Sequence, residues 1–326
     1  MNPVKSLHIK KPSASRRSVP LRKEASNGVN ITGKTKILGI FGYPIEHTIS
    51  PAMHNAVIKA LCLDMVYLPF EVKPLQLKEA VNGIKGLGIL GINITIPHKE
   101  AAIKFLDDVS EEAQLIGAVN TILNKEGRLI GHNTDGYGYF ASLNEECNFN
   151  PKDKNIVILG AGGAARGIAA ALAKKGAAKI TIANRTIARA ISLVKAFKKK
   201  FPSTKFRAIG LDKNILKTCF QDINLLINTT SVGMKQKQAL KTPLDALART
   251  AIVSDIVYNP LETLLLKKAE RLGLTTHGGL GMLIHQGARS FKLWTGIDAP
   301  TEVMRKAALK TLKMGGGRQE AASRNL

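Results

Sequence analysis

The amino-acid sequence predicts an α/β fold of two domains with a central cleft between them. The chain has 326 residues, enough for two domains that each bury a hydrophobic core. From residue 37 onward, short apolar runs alternate with amphipathic segments, the pattern of a sheet covered by helices on both faces. The pattern occurs before residue 134 and again from residue 155, which indicates two successive α/β units.

The first unit is expected to contain strands, helices and one hairpin. In the segment 91–96, isoleucines alternate with Asn93 and Thr95, the period of a strand, and Pro97 ends the ladder. A Lys-Glu-Gly turn at 125–127 separates two further strand-like runs, which indicates a hairpin. The expected elements are a strand at 37–42, a helix from about Ser50, a strand at 66–72, a helix at 75–86, a strand at 91–96, an amphipathic segment at 100–109 and hairpin strands at 118–124 and 128–133.

The second unit repeats the alternation without a tract of low complexity. A helical segment joins the two units, and the chain closes with helices whose packing partner the sequence alone leaves open. The expected elements are a helix at 136–147, a strand at 155–160, a helix at 164–176, a strand at 179–184, later parallel strands at 223–230 and 251–258, a helix at 263–273 and closing helices at about 280–313.

Charge is the unusual bulk property of the chain. It carries 48 Lys and Arg residues against 24 Asp and Glu, a net charge of +24. The first 36 residues hold nine of these basic residues and a single acid, which predicts a disordered basic arm, with an organelle transit peptide as the alternative. A second basic run, from Lys195 to Arg207, lies on a polar helix and its exit. We interpret it as a solvated face that attracts small anions, nucleic-acid binding being the less favoured interpretation, and its three phenylalanines as core residues.

The sequence gives no sign of a metal centre, a secreted protein or a membrane span. The three cysteines and seven histidines do not have the spacing of metal ligands, so no metal is expected. There is no long uncharged apolar run and no visible signal peptide, so a cytoplasmic protein without a membrane partner is expected. A homodimer is compatible with the sequence, which carries no signal that decides between one copy and two.

A glycine-rich turn indicates a dinucleotide site. The residues from Gly160 to Ala165 match the pattern G-x-G-x-x-G/A. The turn follows an apolar strand and opens an Ala-rich helix, the context in which this motif binds a pyrophosphate at a helix N-terminus. The residues expected to bind the cofactor here are Gly160, Ala161, Gly162, Gly163 and Ala164.

The end of the next strand indicates which dinucleotide is bound. A site for NAD usually places Asp or Glu near this point, where the carboxylate holds the ribose 2′-hydroxyl. This chain has Asn184, Arg185 and Thr186 instead, and Arg189 follows. Because guanidinium groups bind phosphate in a bidentate fork, these residues predict a site for the 2′-phosphate of NADP.

Two charged residues that follow strands are the candidate acid/base groups. Lys99 follows the strand at 91–96, and Asp135 follows the second strand of the hairpin. A lysine and an aspartate that share one substrate hydroxyl form a workable acid/base unit, because the ammonium can protonate a carbonyl oxygen as hydride reaches the carbon. Each residue taken singly would more simply be a surface charge.

Nine blocks of sequence, in order between residues 36 and 313, resemble shikimate dehydrogenases. The resemblance implies reversible, NADPH-dependent reduction of 3-dehydroshikimate, a small-molecule substrate, to shikimate in the biosynthesis of chorismate and aromatic amino acids. The blocks are HTISPAMHN (47–55), NITIPHK (93–99), GAVNTI (117–122), GHNTDGYG (131–138), GAGGAARG (160–167), NRT (184–186), NTTSVGM (228–234), DIVYNPLETLLL (255–266) and GLGMLIHQG (279–287).

The resemblance also implies a domain organisation. In this organisation, an N-terminal α/β substrate domain is followed by a Rossmann-like NADP-binding domain, and the closing helices pack back on the first domain. The expected regions are a basic disordered arm at 1–35, a substrate-binding catalytic domain at 36–134, an NADP-binding domain at 135–279, closing helices at 280–313 and a disordered tail at 314–326.

By the same resemblance, roles are implied for individual residues. Lys99 is the catalytic acid/base, and Asp135 is its partner on the reacting hydroxyl. Thr48 and Ser50, with Tyr258 alongside, hold the substrate carboxylate, whereas Thr95, Asn120 and Gln286 bind the ring hydroxyls. The cofactor residues are those of the glycine-rich turn together with Asn184, Arg185, Thr186 and Arg189, and Ile256, Gly279 and Glu111 lie near the nicotinamide.

The chain departs from the family pattern at one position. Thr48 stands where the family commonly has serine, so a hydroxyl is kept but an extra methyl narrows the carboxylate pocket. Relatives that also oxidise quinate vary at these positions. A quinate/shikimate dehydrogenase of mixed cofactor use is therefore the nearest alternative, and a basic nucleic-acid-binding module is a distant one. The partner domain fused to the plant enzymes is missing from this sequence, which weakens the transit-peptide interpretation.

Overall fold

The computed structural model describes residues 31–234, 240 and 242–323, with side chains described as far as Met314. Almost the whole of the predicted basic arm, residues 1–30, lies outside the described residues. Two sheets of six strands each organise the chain, one before residue 135 and one after it. The predicted mixture of two α/β units is therefore confirmed.

The first sheet is mixed, in the order β2-β1-β3-β5-β6-β4. β1 lies parallel to both β2 and β3, whereas β3, β5 and β6 are successive antiparallel neighbours. β5 and β6 form the expected hairpin around Gly127, whose φ of +85° favours glycine. The strands are β1 (Lys36–Gly42), β2 (Met65–Glu71), β3 (Gly91–Ile94), β4 (Asp108–Val109), β5 (Thr121–Lys125) and β6 (Arg128–His132).

Three helices belong to this sheet: α1 (Ser50–Ala60), α2 (Leu77–Gly86) and α3 (Glu111–Ile116). The amphipathic segment at 100–109 does not form an α-helix. Residues Ala101–Phe105 make a 3₁₀ turn that buries Ala102, and the chain then enters the two-residue strand β4. The apolar side chains of α2 and of this turn cover one face of the sheet.

The second sheet is entirely parallel, in the order β12-β11-β10-β7-β8-β9. With β7 to β12 numbered 1 to 6 and the sheet read from its β9 edge, this is the 3-2-1-4-5-6 order of the Rossmann fold, whose ligand crevice lies between the carboxyl ends of β7 and β10. The strands are β7 (Asn155–Leu159), β8 (Lys179–Ala183), β9 (Lys205–Ile209), β10 (Leu225–Asn228), β11 (Ile252–Asp255) and β12 (Thr275–His277). The helices are α4 (Asp135–Cys147), α5 (Gly163–Lys174), α6 (Ile187–Lys198), α7 (Lys213–Phe220) and α8 (Leu264–Arg271).

The end of the basic run is part of this sheet. Residues Lys205–Ile209, which we expected as the exit of a polar helix, form the edge strand β9, in which Lys205 and Arg207 are exposed. Phe206 is buried in the core on one face of the sheet, and Ile209 is buried in the core on the other face. Phe197, Phe201 and Phe206 pack edge to face or tilted against one another, as expected of core residues.

The last two helices return to the first sheet. α9 (Gly279–Thr295) and α10 (Thr301–Ser323) place Phe291, Trp294 and Met304 in one buried cluster with Leu38 and Met53. The Trp294 indole Nε1 donates to the Ile122 carbonyl oxygen of β5 at 2.9 Å. α9 also packs along α4 and therefore contacts elements of both sheets.

Helix α10 extends as far as Ser323, into the tail that we expected to be disordered, and residues 324–326 lie outside the described residues. The three glycines at 315–317 are poor helix formers, but Arg, Gln, Glu and Ala follow them, and an existing helix extends at low cost. No described helix is long and apolar enough to cross a membrane.

Candidate active site

The carboxyl ends of β1 and β3 bring three predicted hydroxyls to one edge of the first sheet. Thr48 and Ser50 follow β1, and the Ser50 backbone N–H donates to Thr48 Oγ1 at 3.3 Å. Thr95 follows β3 directly against β1, since a Cβ on Gly42 would lie 2.5 Å from Thr95 Cγ2. Glycine at position 42 therefore leaves room for Thr95 between the carboxyl ends of β1 and β3. This is the topological switch point of the sheet, where open sheets bind their ligands.

Lys99 and Asp135 form a direct ion pair. Lys99 lies beyond β3, and its backbone carbonyl accepts from the Val119 N–H at 2.8 Å. Asp135 is the first residue of α4, and its Oδ2 accepts from Lys99 Nζ at 2.5 Å. The side chains are 14% and 3% exposed, so the pair is largely buried and the lysine is the more exposed of the two.

Asn120 holds the second oxygen of this carboxylate. Its Nδ2 donates to Asp135 Oδ1 at 2.8 Å, while its Oδ1 accepts from the Thr134 backbone N–H at 2.8 Å. Gln286 of α9 approaches the same amide, with Oε1 at 3.4 Å from Asn120 Nδ2. Because both oxygens of Asp135 are held by donors, the carboxylate is fixed in orientation.

A buried network of polar side chains, which sequence reasoning missed, holds Asn120 in place. Asn93 accepts from the Tyr67 hydroxyl at 2.7 Å and donates to Ser290 Oγ at 3.1 Å. The Ser290 and Thr121 hydroxyls are 2.8 Å apart, and Thr121 Oγ1 donates to Asn120 Oδ1 at 2.9 Å. The polar Asn93 in a buried strand was the signal for this network, whereas nothing local marks Tyr67 or Ser290.

The glycine-rich turn lies at the switch point of the second sheet. Gly160 has a φ of +114°, and a Cβ there would lie 2.5 Å from Thr229 Oγ1 at the end of β10. Above Gly162 there is open space, with no atom within 4 Å of an added Cβ. A pyrophosphate could therefore approach the backbone closely at the start of α5, so the turn fits a dinucleotide.

The turn also brings the two sheets together at Lys99. A Cβ on Gly163 would lie 2.8 Å from Lys99 Cβ and 3.1 Å from its Cδ. Ala161 and Arg189 line a cavity of about 250 Å³ beside this contact; its other lining residues are Glu100, Arg166, Ala188 and Ser192. The dinucleotide turn and the candidate acid/base residue are thus in van der Waals contact.

The residues predicted to select NADP follow β8. Asn184 Nδ2 donates to the Thr186 carbonyl oxygen at 2.9 Å, which shapes the turn into α6. Arg185 and Arg189 are exposed, with 63% of the Arg189 side chain open to solvent. Both guanidinium groups are available to an anion at the end of β8.

Residues that follow β11 approach the start of α9. A Cβ on Gly279 would lie 2.2 Å from the Ile256 carbonyl oxygen, so only glycine allows this approach. The buried Asp255 carboxylate braces the segment by accepting from Thr263 Oγ1 at 2.7 Å and from the Val257 N–H at 3.1 Å. Burial raises the pKa of Asp255 and that of the neighbouring Tyr258 phenol.

Glu111 is placed differently from the other predicted residues. Its side chain is exposed in the first turn of α3. Within the described part of the chain it shares no hydrogen bond or ion pair with the rest of the predicted site.

Three family models match successive parts of the chain. They describe a shikimate dehydrogenase substrate-binding domain at residues 40–122, a shikimate/quinate 5-dehydrogenase at 143–253 and a shikimate 5′-dehydrogenase C-terminal domain at 279–309. The shikimate dehydrogenase (NADP+) of Methanopyrus kandleri is 47% identical over 291 residues, which cover 88% of this chain and all of that protein. The chain belongs to the shikimate dehydrogenase family.

Solved structures of relatives have the same fold. A shikimate dehydrogenase in complex with NADP+ is 45% identical, with a TM-score of 0.81, over 88% of this chain and 99% of that one. The quinate dehydrogenase of Corynebacterium glutamicum in complex with NAD is 32% identical, with a TM-score of 0.77, over 85% and 99% of the two chains. The family therefore includes enzymes of both substrates, and the chain is more similar to the former.

Proposed function

We propose that this protein is a shikimate dehydrogenase that reversibly reduces 3-dehydroshikimate to shikimate with NADPH. The observation that carries the proposal is the Lys99–Asp135 ion pair, held against Gly163 of the dinucleotide turn. A proton donor and a hydride-carrier site in contact are what reduction of a ketone requires. The high identity to NADP+-dependent shikimate dehydrogenases supports the substrate and the cofactor.

Lys99 and Asp135 divide the proton chemistry between them. In the direction of reduction, the Lys99 ammonium donates a hydrogen bond to the carbonyl oxygen and transfers its proton as negative charge develops there. Asp135 holds the ammonium in place before the transfer and accepts a hydrogen bond from the resulting hydroxyl. NADPH, when bound, supplies the hydride. In the direction of oxidation, Lys99 removes the hydroxyl proton.

The surrounding polar residues would hold the ring. Thr48 and Ser50, with Tyr258, would bind the substrate carboxylate, and Thr95, Asn120 and Gln286 would bind ring hydroxyls. The Asn120 amide lies within hydrogen-bonding distance of both the Asp135 carboxylate and Gln286 Oε1, which supports a ring placed beside that carboxylate. Thr95 and Lys99 leave the same strand, so one hydroxyl clamp and one proton donor can reach one small ring.

The cofactor residues follow from the second sheet. The backbone from Gly160 to Ala164 would hold the pyrophosphate, and Asn184, Arg185, Thr186 and Arg189 would hold the 2′-phosphate. Ile256 and Gly279 would contact the nicotinamide, and Glu111 would lie nearby. The open space above Gly162 and the exposure of both arginines support this assignment.

An absorbance assay at the nicotinamide band tests the proposal. The protein is given shikimate or quinate, each with NADP+ or NAD+, and the four specificity constants kcat/KM are compared. The proposal expects shikimate with NADP+ to be preferred. Preference for quinate with NAD+ would replace it with the quinate alternative, and turnover of neither acid would reject it.

We also propose that the protein is cytoplasmic. For its assembly, we propose a homodimer. The three cysteines are free, which supports a reducing compartment. Light scattering on the purified protein decides the assembly, since a dimer has twice the chain mass of 35.1 kDa.

A further inference from the structure

Two cations from the second half of the chain bind the carboxyl end of α3. Lys200, just after α6, donates from Nζ to the carbonyl oxygens of Gln114 and Leu115 at 3.0 and 2.7 Å. Arg166 of α5 donates from Nη1 to the next carbonyl, that of Ile116, at 3.2 Å. The last carbonyls of a helix carry partial negative charge and lack partners within the helix, so cations are favourable here.

The end of α3 is shaped to receive the arginine. Gly117 ends the helix with a φ of +74°, and a Cβ at this position would lie 3.2 Å from Arg166 Nη1. The left-handed backbone favours glycine here, and a larger residue would also crowd the guanidinium. The Arg166 side chain is only 14% exposed, so its position is defined by these contacts.

The same guanidinium contacts the residue next to Lys99. Arg166 Nε lies 3.3 Å from Glu100 Oε2, and Glu100 Oε1 lies 4.0 Å from Arg189. Gly163, three residues before Arg166 in the first turn of α5, contacts the Lys99 side chain itself. One turn of α5 therefore touches both Lys99 and Glu100.

We propose that Arg166 is a positioning residue for the reaction, which holds Glu100, and with it Lys99, against the helix that opens at the dinucleotide turn. This role rests on the proposed function of Lys99. The Lys99–Glu100 segment reaches Arg166 through the Glu100 carboxylate, and the Ile116 carbonyl fixes the other side of the guanidinium. Loss of Arg166 would leave the ammonium free to move from the substrate oxygen, and displacements of about 1 Å lower reaction rates strongly.

The proposal predicts that substitution of Arg166 lowers kcat but leaves KM nearly unchanged. Arg166→Ala is expected to lower kcat roughly tenfold to a hundredfold and to change the KM values for shikimate and NADP+ by less than about threefold. Glu100→Gln, which keeps the size of a half-exposed side chain, should lower kcat in the same direction. The double variant should be no slower than Arg166→Ala, because the two residues act through one contact.

Lys200→Ala is the matched control. It removes the other cation from α3 but leaves the contact with Glu100, so its kcat should stay within about twofold of the wild-type value. NADPH binding, followed by nicotinamide fluorescence, and the midpoint of thermal unfolding are measured for every variant. If Arg166→Ala does not fold, Glu100→Gln decides, and the proposal requires a lower kcat at an unchanged unfolding midpoint.

Two results would overturn the proposal while leaving the proposed function intact. One is wild-type kcat in both Arg166→Ala and Glu100→Gln. The other is weakened NADPH fluorescence binding with unchanged kcat at saturation, which would make Arg166 a cofactor ligand. Absence of shikimate oxidation by the wild-type protein would instead reject the proposed function itself.

Discussion

Gly163 touches Lys99 across the cleft between the two sheets, with 2.8 Å between a Cβ added to the glycine and the Cβ of the lysine. Both atoms are tied to the backbone, so neither can turn away. The residue at position 163 therefore sets how close the dinucleotide turn comes to the proposed proton donor.

Gly163→Ala should lower kcat by roughly tenfold or more, because the added methyl pushes Lys99 and the turn apart. Gly86→Ala is the control, since its Cβ would meet no atom within 4 Å. Steady-state kinetics of both variants check this. A Gly163→Ala enzyme with wild-type kcat would show that the contact does not bear on the reaction.

Arg185→Ala combined with Arg189→Ala should raise the KM for NADPH far more than the KM for NADH, because only NADPH carries the 2′-phosphate. The control is Lys205→Ala with Arg207→Ala, which removes two positive charges from exposed positions of β9 in the same sheet. Equal changes for the two cofactors in the Arg185/Arg189 variant would remove these arginines from cofactor selection.

His54 should make stability depend on pH below neutrality. Its ring is fully buried and stacks on Tyr67 at 4.3 Å, and burial lowers its pKa from 6.5 to about 3. The unfolded chain binds a proton below pH 6.5 and the folded chain does not. The free energy of unfolding contributed by His54 is therefore fully present above pH 6.5 and lost as the pH falls towards 3, by about 2 kcal/mol between pH 7 and 5.

His54→Phe tests this contribution. Neither ring nitrogen has a hydrogen-bond partner among the described residues, so a phenyl ring leaves no polar group stranded. The variant should lose less stability than wild type between pH 7 and 5, as measured by urea unfolding at each pH. If the variant and the wild type lose the same free energy of unfolding between pH 7 and 5, another group causes the loss of stability in acid.

Sequence patterns predicted the parts of the site that lie next to strand ends. Lys99, Asp135 and the glycine-rich turn each follow a strand, and the fold places them within contact of one another. Their meeting could be inferred only through resemblance to a family, because 36 residues separate Lys99 from its carboxylate.

Contacts between distant, ordinary residues had no local signal. Arg166 lies in an Ala-rich helix, 66 residues after Glu100 in the chain. No sequence pattern around either residue predicts that they form an ion pair. Ser290 reaches Asn93 across 197 residues. The segment 100–109 has a helical pattern, but the 3₁₀ turn and β4 replace a helix because β4 pairs with β6. In the segment 100–109, tertiary packing overrides local propensity.

The turnover of Lys99→Ala with saturating shikimate and NADP+ tests the central claim most directly, with Lys104→Ala, an exposed lysine of the following 3₁₀ turn, as the control. Loss of the general acid/base should lower kcat by roughly two to four orders of magnitude, while NADPH binding and the Lys104 variant stay near wild type. Near-normal turnover by Lys99→Ala would contradict the account.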